Sequence, residues 1–523
     1  MNEQTIEGYR LSPQQRQVWG LLSHSPSTHP HAQCAVSISG RATAGALRRA
    51  VERLVSRHEA LRTEFHRLPG MEFPIQVVGE DARVRWREVD LRAAGEGDEQ
   101  ARRRSIEELM LEERKLLAEA EAPAGADAGA TVPGVGGAGA GPRACVATFD
   151  DDERVVVLSV SGMAGDSRSM MNMVRELGDC YAAESGESEE SREGDEEVQY
   201  VQFSEWQNEL LDGEGAGAGR EYWAGLGVRA ERLRLPLERV EEAESEEGSA
   251  EPGELEVKVC EEVAAAAARV ASERGVSEEV LLLTCWQTLL ARLTGKNAIT
   301  VKSHFDGRKF SDLNAGFGLF SRYLPLSVHL GESHRFDEIL EKTSKSFKAA
   351  YPWQEYFVEE QSDGYDEGHV DASDFALGYE YQQWPAAHSA AGLRFSLLLL
   401  TASAEPFSLR LRFSRSLSSL RARFFFDPAR FSARAVSLLA SQFLALLASV
   451  CADPARPVRD LDALGRNERQ SLLSQSGRNS HPYPTSPLLP ALFEAQAART
   501  PDASAVECGE ERLSFAELNA AAN

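Results

Sequence analysis

The stretch Arg154–Leu177, RVVVLSVSGMAGDSRSMMNMVREL, predicts a strand, a tight turn and a helix in succession. Val155–Val160 is a short apolar run closed by a glycine-rich turn, Ser161–Gly165, and this pattern is typical of a buried strand. A helix begins at Asp166 or Ser167, because the side-chain oxygens of these residue types cap orphan backbone N–H groups. Apolar residues then recur at steps of three and four, at Met170, Val174, Leu177 and Tyr181. A side chain on such a turn lies at the mouth of a sheet, where it is available for chemistry.

The overall composition excludes several classes of function. The 523 residues include 82 acidic and 56 basic side chains, for a formal net charge of −26. A nucleic-acid groove needs a basic face, so we expect no nucleic-acid partner. Much of the negative charge lies in two runs typical of solvated loops, Glu184–Glu197 and Glu238–Glu251.

Cysteine usage and hydropathy give further expectations. The seven cysteines lack metal-ligand spacing and indicate reduced thiols in a cytoplasmic protein, with no metal site. The N-terminal residues lack the apolar core of a signal peptide. The apolar run Ser396–Ala402 is far too short to span a bilayer. We therefore expect no membrane role.

The turn resembles the core motif of condensation domains of nonribosomal peptide synthetases, His-His-x-x-x-Asp-Gly, in the same strand–turn–helix context. Counted back from Asp166, Ser161 stands at the first His position and Gly162 at the second, while Ser167 stands at the Gly position. The second His is the presumed catalytic residue of the family, and it is missing here. The heterocyclization relatives carry Asp-x-x-x-x-Asp-x-x-Ser instead; Asp166 and Ser169 fit that pattern, but Ser161 replaces its first Asp.

Other parts of the chain are similar to further condensation-domain blocks, namely Tyr9–Trp19, Arg57–Phe65, Gln199–Gln207 and Gly316–Val328. In the last of these blocks Arg322 replaces an Asn of the family. The block normally lines the interface between two lobes. We therefore expect Trp206, Phe320 and Arg322 at the tunnel or the lobe interface, with Trp206 as a packing residue.

The resemblance also implies a fold and a domain order. The expected fold is α/β, with two lobes like chloramphenicol acetyltransferase that form a V around a central tunnel. We expect the first lobe at residues 1–185, with a flexible Gly-Ala-Pro-rich insertion at 122–142, and the second lobe at 186–464. A linker at 465–487 leads to residues 488–523, which resemble the truncated start of an adenylation domain. A start at Met1 suggests the first module of its polypeptide.

Periodicity gives local predictions. The segments Ala44–Arg57 and Ser277–Gly295 have the pattern of helices with defined ends. Gly213–Gly219 is interpreted as a loop. Phe407–Ser414 alternates apolar residues with Arg410 and Arg412, which predicts a half-exposed strand.

The resemblance implies a specific reaction. Phosphopantetheine arms of carrier proteins enter the tunnel from opposite faces, and an acceptor amine attacks the donor thioester. The amine must lose a proton, and help from a general base contributes about 10²–10⁴-fold to such steps. Gly162 has no side chain, and the Ser161 hydroxyl is too weak a base alone, so His304 is the candidate displaced base. In the family the motif Asp pairs with an Arg for structural reasons, and Arg308 is the matching candidate for Asp166.

Three hypotheses remain open from the residues. The first is a condensation-like platform with little or no activity, which holds a carrier protein or its own adenylation domain, or recruits a trans-acting tailoring enzyme. The second is an active acyltransferase that relies on proximity, worth about 7–11 kcal/mol, or on a displaced base such as His304. The third is an interaction module built on the acidic loops. In each case the domain itself binds no cofactor; phosphopantetheine arms are ligands, and ATP and Mg belong only to the missing remainder of the adenylation domain.

Overall fold

The structure is a computed structural model of the chain. It describes residues 7–24, 30–67, 70–81, 83–95, 99–121, 141–186, 198–226, 233–239, 252–331, 333–359, 377–417, 419–476, 488–509 and 511–523. The expected insertion and the two acidic runs therefore lie largely outside the described residues, as does much of the expected linker. A first compact unit covers Met1–Ala463, and a second covers Leu464–Asn523.

The chain contains both strands and helices. The strands are β1 (Tyr9–Arg10), β2 (His31–Ser39), β3 (Thr63–His66), β4 (Ile75–Val78), β5 (Arg85–Asp90), β6 (Arg143–Thr148), β7 (Glu153–Ser161), β8 (Gly253–Lys258), β9 (Ala298–Phe305), β10 (Arg322–His329), β11 (Leu377–Gln383), β12 (His388–Ala390), β13 (Leu393–Ser403), β14 (Leu409–Arg415), β15 (Leu420–Phe426), β16 (Ser504–Cys508) and β17 (Glu511–Ser514). The helices are α1 (Pro13–His24), α2 (Ala44–Arg57), α3 (Arg92–Gly95), α4 (Glu99–Glu121), α5 (Ser167–Glu184), α6 (Tyr200–Asp212), α7 (Ala216–Gly225), α8 (Glu261–Glu273), α9 (Glu278–Thr294), α10 (Phe336–Ala350), α11 (Ala433–Ala452), α12 (Arg466–Ser476), α13 (Leu489–Arg499) and α14 (Phe515–Ala522).

The first large sheet has the strand order β12-β13-β2-β7-β6-β5. Its strands are antiparallel except for the parallel pair β5 and β6. Because side chains alternate along a strand, the sheet has two distinct apolar faces. Cys34 and Val156 pack with residues of α2 and α5 on one face, whereas Val157 packs with Ile106 and Leu109 of α4 on the other.

The second large sheet has the order β10-β9-β11-β14-β15-β8. Its central strand β11 runs parallel to both β9 and β14. The helices α8 to α11 contribute to the core on one face of this sheet. Trp286 of α9 is fully buried there and contacts the rings of Phe424 and Phe443. The two sheets with their helices form the two lobes.

A strand exchange connects the two lobes. Strands β12 and β13 follow β11 in the chain, yet both pair within the first sheet, where β13 lies beside β2. The expected division into residues 1–185 and 186–464 did not include this exchange. The first sheet is therefore completed by residues 388–403 from the second half of the chain.

Two local predictions were wrong. The segment Gly213–Gly219 is not all loop, because α7 begins at Ala216. Gly219 lies against the ring of Tyr356, where a β-carbon would meet the ring at 2.3 Å; this tertiary packing outweighs the poor helix propensity of glycine. The strand β14 is not half-exposed, since Arg410 and Arg412 are 6% and 2% exposed.

Helix α11 satisfies the length and hydropathy criteria for a membrane span, the one such helix among the described residues. Val436, Phe443 and Leu447 of this helix are buried in the core of the second lobe. A buried core helix has the same composition, so this helix is weak evidence for a membrane role.

The second unit is small. It contains α12, α13, the antiparallel hairpin β16–β17 and α14. The rings of Phe493 and Phe515 pack against each other at 5.8 Å. Ser514 and Glu517 form a reciprocal capping box at the start of α14.

Candidate functional site

Strand β7 ends at Ser161, and α5 begins six residues later after a tight turn. The N–H of Ala164 donates to the carbonyl of Ser161 at 3.0 Å, which closes the turn. Asp166 is the helix cap, and its side chain accepts from the N–H of Ser169 at 2.8 Å. The strand, the turn and the cap thus agree with the pattern of the sequence.

Asp166 lies at the centre of a buried hydrogen-bond network. Both terminal nitrogens of the Arg308 guanidinium donate to its carboxylate, at 3.0 and 3.1 Å. The backbone N–H groups of Phe320 and Ser321 donate to it at 3.0 and 2.9 Å. Burial alone would raise the pKa of Asp166, but the Arg308 charge and these donors lower it below its ordinary value. The network ties the motif turn to a segment of the second half of the chain.

Ser167, at the position of the family's Gly, makes a second connection between the lobes. Its hydroxyl donates to Glu380 of β11 at 3.0 Å. Glu380 also accepts from Arg412 Nε at 2.7 Å and from the Tyr323 hydroxyl at 3.3 Å. Burial raises the pKa of Glu380, but Arg412, His304 and Arg410 outweigh it and hold the pKa well below the usual range. The carboxylate is therefore ionised.

The two arginines of this group reach back to the first sheet. Arg412 donates to the carbonyls of Leu400 and Ala402 in β13, at 3.2 and 3.1 Å. Arg410 also donates to Ala402, at 3.2 Å. These contacts explain why both arginines are buried: the alternating face of β14 meets the first lobe, not solvent.

The space at Gly162 is filled by the neighbouring chain segment. A β-carbon on Gly162 would lie 2.6 Å from the β-carbon and 2.7 Å from the carbonyl carbon of Pro30. The N–H of Gly162 donates to the Pro30 carbonyl at 2.9 Å. Since backbone atoms cannot give way as a flexible side chain can, no larger residue fits here without a local rearrangement.

Sequence reasoning missed one histidine at this site. His31, the first residue of β2, pairs with Ser161 across the ladder. The imidazole is thus the cross-strand neighbour of the first motif position. Only the pairing of β2 with β7 reveals this, and two strands so far apart in the chain give no local signal of their register.

The predicted alternative base, His304, lies elsewhere. It is the cross-strand neighbour of Tyr323, and the two rings are 5.3 Å apart. Tyr323 in turn contacts Glu380, so His304 belongs to the Glu380 group in the second lobe.

The three residues expected at the tunnel or lobe interface have different surroundings. Phe320 is fully buried in the first-lobe core, and Arg308 lies over its ring at 4.4 Å. Trp206 is 36% exposed and packs against Phe203 and Phe310. Arg322 is buried and donates to the carbonyl of Gln354. It lies on the face of β10 opposite to Tyr323, and burial lowers its pKa to about 10.

The comparisons with known proteins agree on one family. The family model described as "Condensation domain" matches residues 5–121 and 141–473. The chain is 27% identical to bacitracin synthase 3 of Bacillus licheniformis over 99% of its own length and 8% of that protein. It is 27% identical to tyrocidine synthase 3 of Brevibacillus parabrevis, over 94% of its own length and 7% of that protein. The chain thus spans less than a tenth of the length of either relative.

Solved structures share the fold. The first condensation domain of the calcium-dependent antibiotic synthetase, in complex with a substrate analogue, matches with a TM-score of 0.69 and 19% identity, over 88% of this chain and 100% of that one. The X-domain from teicoplanin biosynthesis, in complex with OxyB, matches with a TM-score of 0.67 and 20% identity, over 88% and 97%. The chain belongs to the condensation domain family.

Proposed function

We propose that this condensation-type domain of a nonribosomal peptide synthetase binds substrates carried on phosphopantetheine arms and serves mainly as a platform. In this proposal residue 162 takes no part in amide formation. Its partner is the carrier protein, the adenylation domain that residues 488–523 would begin, or a trans-acting tailoring enzyme. The site of action is the cytoplasm, as the reduced cysteines suggest.

The observation that carries the proposal is the contact between Gly162 and Pro30. Gly162 has no side chain to accept a proton, and the Pro30 backbone fills the space into which a side chain would extend. Loss of a general base costs a reaction of this type about 10²–10⁴-fold in rate. The domain then lacks the imidazole that its family carries at this position.

The rest of the motif supports a retained binding architecture. Asp166 keeps a bidentate ion pair with Arg308 and three backbone donors. Ser167 adds a bond to Glu380 that a glycine could not make. Because an unpartnered buried charge is strongly destabilising, the intact network around Asp166 preserves the fold of the motif turn.

Two solved structures with the same fold support the choice of partners. The X-domain was solved in complex with OxyB, which is an example of a condensation-type fold that binds another protein. Similar folds also bind substrate analogues. Any ATP and Mg chemistry would require the remainder of an adenylation domain.

A direct test uses the synthetase module that contains this chain, with donor- and acceptor-loaded carrier proteins. Carrier binding is measured by calorimetry, and amide product is measured by mass spectrometry. The proposal predicts a stable carrier complex without amide product above the uncatalysed level. Amide product that His304→Ala abolishes would contradict it, and so would the absence of any complex with a carrier, adenylation or tailoring partner.

A second candidate is acyl transfer that relies on a base outside the motif. The position of His31 beside Ser161 favours this candidate over one based on His304.

A further inference from the structure

Ser161 and His31 face each other directly across the β2–β7 ladder. The N–H of Gly162 donates to the carbonyl of Pro30, so the bond joins the residues just outside the Ser161–His31 pair. In an antiparallel ladder this arrangement identifies a non-hydrogen-bonded pair, the type whose side chains are closer together. Their β-carbons are then about 4.5–5.5 Å apart. Side-chain rotation can bring a hydroxyl and an imidazole on these carbons to hydrogen-bond distance; in the structure Ser161 Oγ and His31 are not hydrogen-bonded to each other.

Both side chains point to the same face of the sheet. Opposed residues in a ladder share a face, and so do residues two positions apart in a strand. Gln33 and Ser159, two positions further along each strand, meet on this face with the Gln33 amide 2.8 Å from the Ser159 hydroxyl. Gln33 also donates to the carbonyl of Met110 in α4. Ser161 and His31 therefore lie on the α4 side of the sheet.

The two residues differ in exposure in a way that suits a nucleophile and its base. Ser161 is partly exposed, whereas His31 is 9% exposed. The N–H of Met163 donates to Ser161 Oγ at 3.3 Å, which orients the oxygen. A serine hydroxyl becomes nucleophilic when an adjacent base removes its proton.

The pair also lies at the strand ends of the first sheet that meet the second lobe. His31 begins β2, Ser161 ends β7, and the end of β13 pairs with the start of β2. The β13 carbonyls of Leu400 and Ala402 accept from Arg412 of the second sheet. The boundary between the lobes is where the proposed function puts the carrier-borne thioester.

We infer that Ser161 and His31 form a nucleophile–base pair that takes the acyl group from a phosphopantetheine thioester. Ser161 Oγ attacks the thioester carbonyl while its proton passes to the His31 imidazole. The carbon–sulfur bond breaks, an ester bond to Ser161 forms, and the pantetheine thiolate takes the proton from the imidazolium. Water can then attack the ester, with His31 as the base, to release the carboxylic acid and the free Ser161 hydroxyl.

This chemistry goes beyond a platform but rests on the proposed binding of thioesters by this cleft. The same segment produces both features: Pro30 closes position 162, and His31, the next residue, brings an imidazole to position 161. The imidazole is thus displaced from the motif strand to its neighbour. The predicted product is an acyl-serine, not an amide.

The test is intact-protein mass spectrometry of the full chain after incubation with an acyl thioester. The thioester is either a carrier protein loaded with an acyl group or acetyl-pantetheine, which needs no carrier docking. We expect a wild-type adduct of one acyl group, located on Ser161 by peptide mapping. Ser161→Ala should abolish it, and His31→Gln should slow its formation by about 10²–10⁴-fold. Ser161→Cys should restore an adduct as a thioester.

Ser159→Ala is the matched control, because Ser159 lies on the same strand and face and should leave adduct formation unchanged. Unfolding curves confirm that each variant is folded. A wild-type protein that stays unmodified and releases no carboxylic acid from either thioester would overturn the inference, as would an adduct that persists in Ser161→Ala. An adduct with acetyl-pantetheine but no carrier complex would support the inference while contradicting the proposed carrier binding.

Discussion

Ser167 donates its hydroxyl to Glu380 at 3.0 Å and thereby joins the first turn of α5 to the second sheet. Asp166, the preceding residue, is held by Arg308 of the same half of the chain as Glu380. Two adjacent residues of the motif therefore join it to the second half of the chain through two separate buried carboxylates. The buried charged residues of the site are thus retained, whereas the two histidine positions of the family hold Ser161 and Gly162.

The Glu380 group gives the first prediction. Glu380→Gln leaves Arg412 buried without a compensating charge, so it should lower the free energy of unfolding by about 3–5 kcal/mol. Ser167→Ala removes one neutral donor to the carboxylate and should cost about 1–3 kcal/mol. Urea denaturation of both variants checks this order. Equal and small effects would show that Glu380 does not balance the Arg412 charge.

The Asp166–Arg308 pair gives a prediction for pH. The folded-state pKa of Asp166 is below its ordinary value. The ionised carboxylate therefore stabilises the fold above the unfolded pKa of about 3.9, and this stability is lost as the pH falls through the lower folded pKa. The free energy of unfolding of the wild type should fall on acidification below about pH 5 more steeply than that of Asp166→Asn. Parallel curves for the two proteins would contradict this assignment.

Position 162 gives a prediction about rescue. Gly162→His, alone or with Ser161→His, should not restore amide formation, because the Pro30 backbone fills the space. Gly162→Ala should already lower the free energy of unfolding by about 1–3 kcal/mol through overpacking.

Gly217 in α7 is the matched control for this substitution, since nothing lies within 4 Å of a β-carbon there. Gly217→Ala should leave stability unchanged or raise it by up to about 1 kcal/mol. A Gly162→His variant that folds normally and forms amide would show that the Pro30 segment moves aside.

Local elements were predictable because their signals are local. Ala44–Arg57 forms the helix that its apolar period predicts, and Ser277 and Gly295 cap α9 at the predicted ends. The strand, turn and cap around Asp166 also follow from a short stretch of residues. The partner of Asp166, by contrast, came from the resemblance to a family and not from any local pattern.

The features that were missed are all nonlocal. Alternation in β14 indicates which residues share a face, but it does not indicate that the face with Arg410 and Arg412 meets the first lobe. The prediction of a half-exposed strand is wrong for this reason. The exchange of β12 and β13 into the first sheet has no signature in their own residues. His31 likewise becomes a site residue only through the register of β2 on β7.

The central claim is that this cleft binds carrier-borne substrates without forming an amide through residue 162. The most direct measurement combines donor- and acceptor-loaded carrier proteins with the wild-type module, and follows binding and amide product in the same samples. We predict saturable carrier binding and no amide product above the uncatalysed level. Multiple-turnover amide formation by the wild type would contradict this account.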